Sequence, residues 1–445
     1  MKIHLYRSAT VGIISDDFKL LQDPWLTDGE YYGSWSQYPK FDVKKNIDEL
    51  NSYDAIYISH IHPDHCSAET LKLIDKKIPV YIHSYHAKFL KFKLQALGFK
   101  VIELLNNKDN FLNNNFNIKI VAADNCNPEL CYKFTGCADL NSKDGSQQID
   151  TFAIVSDKNK TIVNINDCPL DLLKVTLPKI MENYKNIDLL LTGYGGAGAY
   201  PQCFDNLSND EKIKEANNKK NFFLKQALEY LKIVKPYYYL PFAGTYTLTG
   251  KLSELQDLRG VPSIDEAYDY LEKHNKISKP IKINPGSSFD LKKGVNSKPY
   301  NLINEKEYKD YITNELKNKK LDYELEVVPK NEDLISLAKG AYKRYLKKLK
   351  DLNIKIFTDI FLDLGNQYIK IPCKNSDLEI LDKSKFDTNG NYVIYKVDKR
   401  MLKWLLLGPK YAHWNNAEIG SHIKFERNPN IFERNIYQSM CYFHN

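Results

Sequence analysis

The chain has 445 residues, of which 43% are hydrophobic and 27% are charged. This length exceeds what one compact core usually holds, and the composition is ordinary for a globular protein, so we expect two domains. The net charge of +7 is spread along the chain without an arginine-rich block, which argues against a nucleic-acid partner and remains compatible with a small anionic substrate.

In the first 300 residues, short apolar runs alternate with helical patterns. Strands are predicted at 3–6, 11–14, 19–22, 55–59, 79–83, 101–105, 117–122, 151–155, 161–165, 188–192, 237–240 and 289–291. Helices are predicted at 68–76, 86–97, 171–182 and 221–231. This β-then-α rhythm indicates an α/β sandwich.

After residue 300 the pattern changes. A basic amphipathic helix is predicted at 334–349, strands at 354–364, 367–371 and 392–397, and a helix at 399–407 that ends at Gly408. We therefore predict a catalytic domain over 1–300 and a smaller α+β domain over 301–445. The strand and helix order of the second domain resembles sterol-carrier-protein-like folds, which is an analogy of fold only.

Targeting signals are not evident. The first residues have the pattern of a strand rather than a secretory signal, and no run approaches the about 18 apolar residues that a membrane span requires. The eight cysteines are scattered without a disulfide framework, as in reduced intracellular proteins. These patterns predict a cytoplasmic protein without a membrane partner.

The segment Ser-His-Ile-His-Pro-Asp-His at 59–65 directly follows a predicted buried strand. Side chains two apart on a strand point to one side, so His60 and His62 can converge, and the turn at Pro63 brings back Asp64 and His65. Imidazole and carboxylate groups are ligands for zinc, iron and manganese. The alternative is a chance cluster, but three of only ten histidines lie within six positions. We predict that these four residues bind metal, with Asp64 and His65 also catalytic.

The segment resembles the H-x-H-x-D-H signature of the metallo-β-lactamase superfamily, which implies an αββα sandwich. Asp23-Pro24 resembles the early turn that supports the site there. Asp167 follows the predicted strand 161–165, where the superfamily has its bridging aspartate. The alternative for Asp167 is an ordinary turn residue at a strand end. We predict that it is a metal ligand.

Two histidines that the superfamily usually has are not obvious. His83 and His86 come too early in the chain for the first, so Asp124, Asn127 or Glu129 is predicted to supply oxygen there. Ala243 stands at the place of the second. An oxygen-rich and open coordination sphere suits iron better than a tight pair of zinc ions. We expect one or two metal ions, iron favoured over zinc.

Several segments also resemble the CMP-N-acetylneuraminate hydroxylases in collinear order. They are Gly-Tyr-Gly-Gly-Ala-Gly-Ala-Tyr-Pro-Gln-Cys-Phe at 193–204, Leu-Pro-Phe-Ala-Gly-Thr-Tyr at 240–246, Asn-Pro-Gly at 284–286 with Phe-Asp-Leu at 289–291, Trp-Asn-Asn-Ala-Glu-Ile-Gly at 414–420 and Arg-Asn-Pro-Asn-Ile-Phe at 427–432. The resemblance implies hydroxylation of the acetyl methyl group of a nucleotide-activated sialic acid, with a Rieske iron–sulfur domain as electron donor.

This sequence departs from that family at two places. A Rieske centre needs a Cys-x-His and a Cys-x-x-His pair, and the chain has no Cys-x-His and one Cys-x-x-His, at Cys441 and His444. We therefore expect no iron–sulfur cluster in this chain and a separate electron-donor protein. The family has His-Pro-Glu where this chain has Asn127-Pro128-Glu129.

The glycine-rich stretch predicts a substrate loop. Gly195, Gly196 and Gly198 allow backbone to approach a ligand, and their amides suit a phosphate. Tyr200 and Tyr246 suit stacking on a base or hydrogen bonds to a sugar. The alternatives are a tight turn for the glycines and core packing for the tyrosines.

The favoured function is oxygen-dependent hydroxylation of a nucleotide-activated, sialic-acid-like sugar or a similar anionic substrate. One rival is a metallo-hydrolase of a phosphoester, lactone or amide, in which the metal lowers the pKa of bound water. The other rival is a non-catalytic substrate-binding subunit, which the missing late histidine suggests.

Overall fold

A computed structural model of the chain describes residues 1–85, 87–122, 150–374 and 376–445. Its strands are β1 (Lys2–Arg7), β2 (Thr10–Ile14), β3 (Lys19–Gln22), β4 (Trp35–Ser36), β5 (Ala55–Tyr57), β6 (Val80–His83), β7 (Val101–Leu104), β8 (Asp109–Phe111), β9 (Asn117–Ala122), β10 (Thr151–Ser156), β11 (Thr161–Asn164), β12 (Leu189–Gly193), β13 (Tyr238–Phe242), β14 (Thr247–Leu248), β15 (Lys279–Pro280), β16 (Ser287–Asp290), β17 (Val295–Asn296), β18 (Asp359–Asp363), β19 (Gln367–Ile371), β20 (Glu379–Asp382), β21 (Tyr392–Val397) and β22 (Ile423–Asn428).

The α-helices of the described residues are α1 (Ile47–Leu50), α2 (Ala68–Leu73), α3 (Phe89–Ala96), α4 (Leu170–Met181), α5 (Asn209–Val234), α6 (Ile264–His274), α7 (Glu305–Tyr311), α8 (Asn331–Asp351), α9 (Lys399–Leu407), α10 (Trp414–Ile419) and α11 (Arg434–Met440). Among these residues, no helix combines the length and the apolar character that crossing a bilayer needs.

Two large sheets form the first part of the fold. The strand order of one is β17-β16-β1-β2-β3-β5-β6-β7, and that of the other is β15-β13-β12-β11-β10-β9-β8. In each sheet, parallel strands adjoin antiparallel ones: β3, β5 and β6 run parallel, as do β11, β12 and β13.

The two sheets pack face to face with helices outside. The alternating side chains of β10 illustrate the layers: Ala153 and Val155 belong to the apolar core between the sheets, while Phe152 and Ile154 face a second core with helices α4, α5 and α6. A third core joins the outer face of the first sheet to α1, α2 and α3. This αββα layering is the predicted metallo-β-lactamase sandwich.

A smaller sheet, in the order β20-β19-β18-β21-β22, lies in the C-terminal part with α8 to α11. Its core cluster also contains Trp25, Tyr31, Trp35 and Tyr246 from the first part of the chain. The division at residue 300 and the sterol-carrier-protein analogy stay predictions.

Five of the described α-helices, α1, α6, α7, α10 and α11, were not predicted. Helix α6 begins with a capping box in which Ser263 and Glu266 bond reciprocally, and α7 begins at Asn304, whose side chain accepts from two backbone amides. Helix α5 is longer than predicted because Ser208 and Glu211 form a capping box well before the apolar pattern starts.

Candidate metal centre

The histidine motif follows β5, at the edge where strands of both sheets end. Asp167 comes to the same edge after β11, through Asn166, whose φ of 50° is left-handed and turns the chain there. Asp150 directly precedes β10, which runs antiparallel to β11, so the start of β10 meets the end of β11. Asp150, Asp167 and the motif therefore converge.

The first group of candidate ligands is His60, His62 and Asp150. Nε2 of His60 lies 3.0 Å from Nδ1 of His62 and 3.9 Å from Oδ1 of Asp150. Ligand nitrogens in a tetrahedral zinc site with bonds of about 2.05 Å lie about 3.3 Å apart. The three side chains thus have the spacing of ligands around one ion.

The second group is His60, His65 and Asp167. Nε2 of His65 lies 3.4 Å from Oδ1 of Asp167, and Oδ2 of Asp167 lies 3.9 Å from Nε2 of His60. Oδ2 of Asp64 lies 3.8 Å from Nε2 of His65. Nε2 of His60 is the donor atom in both groups and can bind one ion at a time, so a second ion would be held by His65, Asp167 and Asp64 without it.

The carboxylate of Asp23 orients Ser59 and His65 of the motif. Its Oδ2 atom lies 2.8 Å from Nδ1 of His65 and accepts from the hydroxyl of Ser59 at 2.7 Å, while Oδ1 accepts from the Ser59 amide. Asp23 is fully buried. A carboxylate that holds Nδ1–H of a histidine directs Nε2 toward a metal, as in carboxylate–histidine–metal triads.

Tyr31 holds Asp64, the acidic residue of the motif. Its hydroxyl donates to Oδ1 of Asp64 at 2.5 Å, which leaves Oδ2 toward His65. The Tyr31 carbonyl in turn accepts from Nε2 of His422 at 2.7 Å. The C-terminal part thus fixes a residue that contacts the site.

The pKa shifts of the three histidines are compatible with a cation bound between them. Burial lowers the pKa of both His60 and His62, with Asp64 raising that of His62, and metal ligands must be neutral imidazoles. Burial also opposes protonation of His65, but Asp167 and Asp23 outweigh it and raise its pKa. A positive charge is therefore already favoured between His65 and Asp167, and the residues present fit a metal ion.

Three predicted ligands, Asp124, Asn127 and Glu129, lie outside the described residues, as does His86. His83 is buried, packs edge-on against Tyr85 at 4.7 Å and belongs to neither ligand group of the described residues. Ala243, at the place of the late histidine, has a left-handed φ of 53°.

The glycine-rich loop approaches its own chain closely. A Cβ on Gly195 would lie 2.5 Å from the carbonyl oxygen of Gly244, and one on Gly196 would overlap the ring of Phe223. Gly198 has a φ of 116° and open space beside it. Close packing thus explains the first two glycines without a ligand, whereas Gly198 remains free to face one.

The two predicted substrate tyrosines pack against other rings. Tyr246 is 5% exposed and stacks on Trp35 with centroids 3.7 Å apart. Tyr200 packs edge-on against Phe204 at 5.1 Å. Their roles as substrate-binding residues stay predictions.

Sequence reasoning missed Asp150 and Tyr31. A signal existed for Asp150, because it directly precedes a predicted strand that pairs with the strand at 117–122. Tyr31 carried no local signal, since its contact with Asp64 depends on how distant loops pack.

No family model matches the chain. The chain is 25% identical over 314 residues to the cytidine monophosphate-N-acetylneuraminic acid hydroxylase of Asterias rubens, which is 66% of this chain and 42% of that protein. It is 26% identical over 251 residues to the hydroxylase of the same name from Danio rerio, covering 54% of this chain and 37% of the relative. It is 27% identical over 249 residues to a protein of Mycolicibacterium smegmatis named for a Rieske 2Fe-2S iron–sulfur centre. The match covers 55% of this chain and 44% of that protein.

The chain thus spans about two fifths of the length of these curated relatives. Among solved structures, CmlA, a diiron β-hydroxylase from Streptomyces venezuelae, is 17% identical with a TM-score of 0.40, covering 63% of this chain and 52% of that chain. The isothiocyanate hydrolase from Delia radicum gut bacteria is 16% identical with a TM-score of 0.44, covering 65% of this chain and 99% of that chain. By its layered sheets and the motif after β5, the chain has the metallo-β-lactamase fold, and in sequence it is similar to the CMP-N-acetylneuraminic acid hydroxylases.

Proposed function

We propose that this protein is an iron-dependent oxygenase that hydroxylates a nucleotide-activated, sialic-acid-like sugar or a similar anionic substrate. The observation that carries the proposal is the sequence similarity to CMP-N-acetylneuraminic acid hydroxylases over 66% of the chain. The proposal concerns the reaction type and the substrate class, since the relatives are much longer than the matched region.

The donor set supports iron over zinc. The described site offers three histidines and three aspartates, His60, His62, His65, Asp64, Asp150 and Asp167, without a histidine at position 243. Mixed imidazole and carboxylate ligation with open positions is typical of non-haem iron. An iron ion would supply the redox chemistry that oxygen insertion into a C–H bond requires.

The residues of this chain would orient the ligands. Asp23 directs Nε2 of His65 into the site, and Tyr31 occupies one oxygen of Asp64, so that the other faces inward. Hydroxylation of R–H with dioxygen gives R–OH and water and consumes two electrons and two protons. A separate electron-donor protein would deliver those electrons.

The test begins with protein purified without oxygen. Elemental analysis should find iron in wild-type protein and much less in His62→Ala, while His274→Ala, an exposed histidine of α6, should retain it. With a chemical reductant and CMP-N-acetylneuraminate, oxygen uptake should match the amount of product that has gained one oxygen atom.

Other outcomes favour the rivals. Zinc as the retained metal, with turnover that does not require oxygen, would establish a hydrolase. Loss of all metal during gentle purification, together with tight binding of the nucleotide sugar, would establish a binding subunit.

A further inference from the structure

A cavity of about 840 Å³ lies beside the loop that follows β13, a volume typical of small-molecule sites. Its walls include Phe242, Ala243, Ile283 and Pro285, and none of the six candidate metal ligands that the structure describes lines it. Of the residues predicted to bind the substrate, Tyr246 lines this cavity.

A chain of aromatic contacts leads from the cavity to the metal centre. Tyr246 lines the cavity and stacks on Trp35. Trp35 packs against Tyr31 with centroids 4.4 Å apart, and Tyr31 bonds to Asp64. A ligand that contacts Tyr246 would thus be linked to Asp64 through Trp35 and Tyr31.

Arg259 is the buried charged residue among those that line the cavity, with 8% of its surface exposed. Its guanidinium lies 4.6 Å from the ring centroid of Tyr246, Nε donates to the carbonyl of Gln256 at 2.9 Å, and Nη1 donates to that of Tyr246. In the described part of the chain, no carboxylate lies within ion-pair distance of Arg259, and Nη2 has no hydrogen-bond partner. A buried charge without a counter-ion is unfavourable.

The backbone holds this arginine in place. Gly260 has a left-handed φ of 67°, and a Cβ there would lie 2.8 Å from the carbonyl oxygen of Ala216 on α5. The close contact fixes the segment that carries Arg259 against the helix.

Six acidic residues also line the cavity. Asp265 accepts from the hydroxyl of Tyr300 at 2.5 Å, and Glu266 pairs with Lys220 at 3.0 Å. The carboxylates that remain, Asp257, Asp269, Glu305 and Glu307, are exposed. Water and salt screen exposed charges much more than a buried one, so the positive charge of Arg259 dominates the interior.

We propose that this cavity binds a small organic anion with an apolar body, whose carboxylate or phosphate pairs with Arg259. The planar guanidinium suits two parallel hydrogen bonds to either group. The apolar walls accept the rest of the molecule, and the anion supplies the missing counter-charge.

The test uses a matched pair of probes, naphthalene-1-carboxylate and the uncharged naphthalene-1-carboxamide, titrated calorimetrically into the full chain. Because a hydrogen bond to a charged group contributes about 1.5–3 kcal/mol, the wild-type protein should bind the carboxylate about tenfold or more tightly than the amide. Arg259→Gln should abolish that preference. Lys309→Gln, which removes an exposed charge from the lining of the cavity, should keep the preference for the carboxylate. Equal binding of both probes by the wild type, or an unchanged preference in Arg259→Gln, would overturn the proposal.

A second measurement uses the wild-type protein alone, so it does not depend on the folding of a variant. Phenylglyoxal modifies accessible arginines, and mass spectrometry of the peptides follows each site. Naphthalene-1-carboxylate should slow the modification of Arg259 but not that of Arg344, which is exposed on α8. Unchanged modification of Arg259 would count against the site.

Discussion

Oδ2 of Asp23 lies 2.8 Å from Nδ1 of His65, although 42 positions separate the two residues in the chain. The contact joins the turn after β3 to the end of the histidine motif after β5, and these two strands are parallel neighbours. The orientation of a candidate metal ligand therefore depends on the pairing of two strands.

Asp23→Asn should weaken metal binding by about 10–100-fold, as is usual when the partner of a ligating histidine is lost. If the asparagine oxygen keeps the bond from the Ser59 amide, its NH2 group faces Nδ1 of His65 and favours the tautomer with the proton on Nε2, which does not bind an ion. Competitive titration against a chelator measures the affinity. Asp48→Asn, an exposed change on α1, is the control, and equal affinities in the two variants would contradict the expected role.

Asp150→Ala should release the ion held with His60 and His62, because it removes the only carboxylate of that group. Asp167→Ala should instead release an ion held with His65, whose Nε2 lies 3.4 Å from Oδ1 of Asp167. Elemental analysis after gel filtration gives the number of ions per chain, with the exposed Asp310→Ala as control. If Asp150→Ala retains the wild-type metal content and affinity, Asp150 is not a ligand.

Tyr31→Phe should destabilise the metal-free protein by about 1.5–3 kcal/mol, because Asp64 loses its buried hydroxyl donor and hydrogen bonds to charged groups are worth that much. Urea unfolding with a chelator present measures the change. Tyr239→Phe is the matched control, since that hydroxyl is also buried but has no partner in the described part of the chain, and its removal should cost almost nothing. Equal losses in the two variants would refute the assigned bond.

His422 should make the metal-free protein less stable as the pH falls from about 6.5 toward about 4. Burial lowers the pKa of His422 to about 4, and its Nδ1 is buried without a partner within the described residues. Between the two pKa values the unfolded chain binds a proton that the folded chain does not, so stability falls with falling pH. His422→Gln should flatten this part of the curve in urea unfolding.

The exposed His274→Gln is the control for that experiment and should leave the slope unchanged. A wild-type slope in His422→Gln would show that other groups govern stability in this range.

The sequence indicated the layered fold and the motif because both depend on local patterns. The strand at 55–59 and the spacing of His60, His62 and His65 are set by a few consecutive residues, and the structure brings them together with Asp64 and Asp167. The capping box at Ser263 and Glu266 was also a local signal, so helix α6 was predictable and was overlooked.

What could not be predicted depends on contacts between distant segments. Tyr31 bonds to Asp64 through its hydroxyl, and His422, far along the chain, holds its carbonyl. Arg259 has no motif around it, and only the three-dimensional structure shows that it has no counter-ion among the described residues.

The side chains of Gln22 on β3 and Asn164 on β11 join the two sheets by a buried hydrogen bond of 2.6 Å, just behind the ligands that each sheet contributes. An ion bound by His65 and Asp167 would form a second link between the two sheets, at the edge of the sandwich where the candidate ligands lie. Loading with metal should then raise the melting temperature in proportion to the logarithm of the free ion concentration. Removal of the ion by a chelator should lower the melting temperature again.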